Sequence, residues 1–112
     1  MDLYLELQNK LTYLDQSVKN LNKTCKDYGE AYAKYRIELA KELVKLKDEG
    51  MAVTLAYDVA RGKPEIARLK YDEICKEGIY KANIESINVS KIQVKILQSQ
   101  IDKEYGHEEV VS

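Results

Sequence analysis

A chain of 112 residues holds one domain at most. Charged residues make up 33% and hydrophobic ones 45%, with one proline and five glycines, a balance that suits a helical or coiled-coil class. A net charge of −1 removes any global electrostatic case for nucleic acid or an anionic membrane.

The first predicted element is a long helix from about Leu3 to Asp48, ended by Gly50. Leu7, Leu11, Leu14, Val18, Leu21, Cys25, Tyr28, Tyr32, Tyr35 and Leu39 follow at alternating steps of four and three. That is a heptad seam, held for about five repeats. At about 1.5 Å per residue the helix is roughly 70 Å long. Gly29 inside it costs about 1 kcal/mol against alanine, which a seam this regular tolerates. The first half of the seam is Leu-rich, and the second presents Tyr28, Tyr32 and Tyr35. Each of these rings buries much area but needs a partner for its hydroxyl, so the surface facing them is expected to be partly polar. Cys25, on the seam, reads as a small buried thiol.

The connector DEGMAVTLAYDVARGKPE follows. Thr54 can cap a short helix over residues 54–61, with Gly62 past its end. Pro64 suits the first turn of the next helix, and Glu65 its positive end. That helix is predicted from about Pro64 to Tyr105, stopped by Gly106, which leaves residues 107–112 as a frayed tail on a single domain, 1–106.

Within it, Ile92-Gln93-Val94-Lys95-Ile96 alternates like a half-buried strand. No glycine or proline interrupts the chain between Ile79 and Tyr105, and the flanks keep a helical period, so helix is preferred. One stripe holds Tyr80, Ile84, Ile87, Val94, Ile101 and Tyr105; almost opposite lie Tyr71, Ala82, Val89, Ile92 and Ile96. The expected fold is all-α: a long antiparallel helical hairpin with a short connecting helix. One stripe meets the first helix. Val89, Ile92 and Ile96 then have nothing left in the chain to cover them. Assembly into a helical-bundle homo-oligomer, most simply a dimer with a four-helix core, is the expected remedy.

Chemistry is sparse. His107 is the sole histidine, and no CxxC or second histidine completes a zinc set, so no metal or cofactor is expected. No serine or carboxylate pair stands beside a plausible base or apolar pocket, so neither a catalytic residue nor an enzyme activity is expected. Cys25 and Cys75 read as free thiols of a cytoplasmic protein, and a disulfide between them does not fit the hairpin register. No secretory n- and h-region opens the chain, and no apolar run of about 18 residues spans a bilayer, so no membrane partner is expected. The segment 61–95 is the most basic part, at +3, and the residues after it carry −3. Arg61, Lys63, Arg68 and Lys70 form a candidate phosphate or nucleic-acid contact at a helix start. An ordinary loop with solvated charges is the preferred alternative.

The stretches YRIELAKELVKLKDEG, TLAYDVARGKPEIARLKYDE and ANIESINVSKIQVKILQSQIDKEYG resemble small helical proteins encoded by bacteriophages and prophages of low-GC Gram-positive bacteria. The resemblance covers about Tyr35 to Gly106, with no functional residues to carry over. It implies an intracellular, phage-borne accessory protein, of a kind that ranges from DNA-metabolism accessories to inhibitors of host defence. The leading expectation is a self-associating interaction protein with an unidentified protein partner. Its contact residues are Val89, Ile92 and Ile96, with Tyr28, Tyr32 and Tyr35 as a second set. The rivals are a nucleic-acid-binding accessory and a structural phage component.

Overall fold

The computed structural model describes residues 2–111, with side chains placed for residues 2–106. It contains three helices: α1 (Leu3–Asp48), α2 (Val53–Gly62) and α3 (Pro64–Val111). No strand occurs among the described residues, and Ser90 to Ile101 is helix throughout. The fold is all-α, and α1 and α3 pair as an antiparallel helical hairpin.

Each helix boundary has a local cause. Asp2 opens α1: its Oδ1 accepts from the backbone N–H groups of Tyr4 (3.0 Å) and Leu5 (3.2 Å). This satisfies donors that the first turn leaves without helical partners. Gly50 closes α1 at φ 89°, a left-handed conformation that costs glycine little. The Met51 N–H reaches the Leu46 carbonyl (3.1 Å) and the Gly50 N–H reaches that of Lys47 (3.0 Å). That paired pattern is a Schellman motif.

The short helix starts earlier than the Thr54 reading. Ala52 is its N-cap, with no side-chain bond, and the Ala56 N–H donates to the Ala52 carbonyl at 2.8 Å. Two residues separate Gly50 from Val53, so the chain is already turning into helix when Thr54 is reached. Lys63 breaks α2 from α3 at φ −65°, ψ 134°. Pro64 imposes this by disfavouring helical backbone at the residue before it. The Lys63 carbonyl then accepts from the Ala67 N–H at 2.9 Å and starts α3. Gly106 does not stop α3, which runs on to Val111. Gly106 keeps a negative φ, and no proline follows to forbid further helix. The side chains of residues 107–111, His107 among them, and Ser112 lie outside the described residues.

The chain groups into two compact units. The first joins the residues up to Lys23 with those from Lys81 onward. Here α1 and α3 run antiparallel: the Tyr4 and Tyr105 rings lie 5.7 Å apart, and Ser17 meets Ser86. The α3 side of the seam is Ile87, Val94, Leu97 and Ile101, with Ser90 almost wholly buried. Asn83 Nδ2 donates to the Ser17 carbonyl (2.9 Å), and the Ser86 hydroxyl donates to Tyr13 Oη (3.0 Å). A polar layer thus sits within the apolar seam.

The second unit, Thr24–Tyr80, contains the chain's clustered core. Tyr35, Leu39 and Leu46 of α1 enclose Ala56 and Ala60 of α2 and Ile66 of α3, with Leu43, Met51 and Leu69 packed alongside. The two alanines are fully buried. Their small side chains let α2 lie close against both long helices.

The heptad seam of α1 is real but rotated from the one predicted. Leu7, Leu14 and Leu21 keep one row half-buried. The other inward row is Leu3, Lys10 and Ser17, continued in the second unit by buried Thr24 and Ala31. Leu11 and Val18, predicted inside, are 42% and 48% exposed. Cys25 is exposed too, a correction to the buried-thiol reading, and both cysteines are free. Asn83 bonds the Ser17 main-chain carbonyl and Ser86 meets the Ser17 hydroxyl, so Ser17 faces α3 while Leu11 and Val18 turn to the flank.

Candidate functional site

Three features of the surface stand out from a solvated helical face. The first is the outward side of α3 in the first unit. Val89, Ile92 and Ile96 are 42%, 58% and 53% exposed, and their spacing of three and four aligns them on one face. The second is the flank of α1 in the same unit, where Tyr4, Leu11 and Val18 recur every seven residues, all exposed. A heptad repeat keeps them in one row along the helix.

The predicted tyrosine set divides. Tyr35 is buried in the core of the second unit, with Lys70 Nζ 4.9 Å from its ring centroid. Tyr28 is half-buried and stacks on Tyr80 at 5.9 Å. Its hydroxyl donates to Glu77 Oε2 at 2.6 Å, and this bond, reinforced by burial and the Glu77 charge, pushes the phenol up to about 12. Tyr32 remains exposed. Of the three, Tyr32 alone offers an open ring to a partner. The partly polar surface expected opposite these rings is present as Glu73, Glu77 and Lys70.

The third feature lies in the second unit, where the basic segment falls. Lys63 is engaged with Glu42, a part-buried pair that ties the α2–α3 junction to α1. The hydrogen bond and charge of Lys63 hold the Glu42 carboxyl below its ordinary range, and Glu42 raises Lys63 in turn. Arg68 is exposed on α3. Lys70 bonds Glu73 Oε2 at 3.1 Å, and Glu73 is buried. Arg61 lies over the Tyr57 ring, 5.1 Å from its centroid. Arg61 and Lys70 share a cleft of about 420 Å³ with Arg36, Tyr35 and Tyr57, floored by Leu39, Ala40 and Leu43. The four predicted residues therefore do not form one patch. The cleft unites two of them with Arg36, whose position on a different helix no local pattern could reveal.

Among the described residues, no group of His, Cys, Asp and Glu is placed to hold a metal ion, and no helix is long and apolar enough to cross a membrane. No protein-family model, curated protein or solved structure matches the chain.

Proposed function

We propose that this chain is a non-enzymatic interaction protein that associates with a second copy of itself through the outward face of α3. The observation that carries the reading is the exposure of Val89, Ile92 and Ile96 on a helix whose other side is already used by α1. Burying apolar area contributes about 25 cal/mol per Å², so pairing such faces has a strong driving force. The flank row Tyr4, Leu11 and Val18 offers a further surface for a different protein partner. In line with the resemblance to phage-encoded helical proteins, that partner is proposed to be a host or phage protein that the chain blocks or recruits, inside the bacterial cell. The nucleic-acid reading has less support, because Lys63 is already paired with Glu42 and Arg68 does not share the cleft that gathers Arg61 and Lys70.

The deciding experiment is light scattering after size exclusion on the full chain and on the double variant Ile92→Glu, Ile96→Glu. The parent is expected to run as a dimer and the variant as a single chain with its helical circular dichroism retained. A parent that is monomeric at high concentration, or a variant with unchanged mass, overturns the reading.

A further inference from the structure

The cleft in the second unit brings together one cation from each helix: Arg36 of α1, Arg61 of α2 and Lys70 of α3. No carboxylate lines it. Among the described residues neither Arg36 nor Arg61 is paired with an acidic group. Lys70 spends one donor on Glu73, and an ammonium has three. Arg36 and Arg61, held around one concave space, repel one another, and an anion entering it relieves that repulsion, with Lys70 adding a donor whose charge Glu73 already balances. Two of the three are guanidiniums, whose forked donors match phosphate oxygens in pairs. The rest of the wall is different in kind. Tyr57 is part-exposed and Leu39, Ala40 and Leu43 are apolar, which suits the organic portion of a ligand. The volume, about 420 Å³, falls in the range of small-molecule sites.

We propose that this cleft binds a small organic phosphate, with its phosphate on Arg36, Arg61 and Lys70 and its aromatic or apolar part against Tyr57 and Leu43. A nucleic-acid strand fits less well. It needs a track of cations for successive phosphates. Lys63, the cation at the α2–α3 junction, is held by Glu42. The site belongs to the second unit and does not depend on the association face of α3.

The test is calorimetric titration of the full chain at low ionic strength with inorganic pyrophosphate, ADP and a single-stranded oligonucleotide. Pyrophosphate and ADP are expected to bind saturably at one site, ADP the tighter. Arg36→Gln with Arg61→Gln should weaken both by about tenfold or more, from the loss of charge-assisted hydrogen bonds. Both arginines are exposed, so the helical signal should persist; Arg36→Gln alone gives a milder check. Tyr57→Ala should weaken ADP and leave pyrophosphate unchanged. Several results overturn the proposal: no saturable binding of either probe, unchanged binding in the double arginine variant, or sulfate at matched ionic strength binding as well as pyrophosphate. Oligonucleotide affinity that grows with length while ADP fails to bind also overturns it, in favour of a strand-binding site.

Discussion

The hydroxyl of Tyr28 on α1 donates a 2.6 Å hydrogen bond to Glu77 Oε2 on α3, and the phenol is raised to about 12. A group raised in the folded state contributes stability that is whole below its unfolded value, about 10. That stability is lost as pH climbs through the folded value. Alkaline titration followed by tyrosinate absorbance should therefore show one of the nine tyrosines ionising late, with helix loss accompanying it. Tyr28→Phe should remove the late step. Nine tyrosines ionising together, with no late component, would show that the bond does not hold in solution.

The Lys63–Glu42 pair should leave its mark at both ends of the pH scale. Glu42 is depressed, so its share of stability is present above its unfolded value and fades as pH falls through the folded one. Lys63 is raised, so its share fades as pH rises through its own folded value. Lys63→Gln should flatten both limbs. The readout is amide hydrogen exchange in α2, where the pair holds the junction. Identical pH profiles for variant and parent would assign the pair no role.

The rotated seam makes a sharp contrast between two leucines. Leu97 is buried between α3 and α1, and Leu97→Ala should cost about 2–3 kcal/mol in urea unfolding. Leu11 lies on the flank, and Leu11→Ala should stay within about 0.5 kcal/mol when the chain is dilute enough to be single. Equal costs would restore Leu11 to the seam.

Asn83 is expected to trade stability for register. Asn83→Ala removes the second donor to the Ser17 carbonyl, which keeps its own helical bond, and should cost about 0.5–1.5 kcal/mol. Asn83→Leu should raise stability but broaden the amide spectrum of the first unit, since a polar layer is what forbids shifted pairings. A sharp, singly populated spectrum for Asn83→Leu would mean that register is set elsewhere.

Much of the fold is legible in the residues. Gly50, Pro64 and the long heptad rows mark three helices, and the ends of α1 and the start of α3 fall where their caps stand. Val89, Ile92 and Ile96 fall outside the hairpin seam, as their stripe implies. Hydrophobic periodicity could not choose between adjacent rows of α1, because both repeat every seven residues. The choice was made by Ser17, Asn83 and Ser86, which pair across helices that are 66 or more positions apart in sequence. Arg36 is not legible for the same reason: its place beside Arg61 and Lys70 exists only after α2 has folded onto α1.

Ser90 is 1% exposed at the middle of the seam, with Asn83 buried one heptad before it, so these two polar residues interrupt the hydrocarbon of the first unit, which on α3 is Ile87, Val94, Leu97 and Ile101. Unfolding a single chain then adds modest apolar hydration, because Val89, Ile92 and Ile96 are largely in water already. Denaturant sensitivity and heat-capacity change both scale with newly exposed surface, so the isolated chain should melt over a broad span of urea and temperature. A steep transition in concentrated solution would report the surface closed off between copies, and its steepness would measure how much.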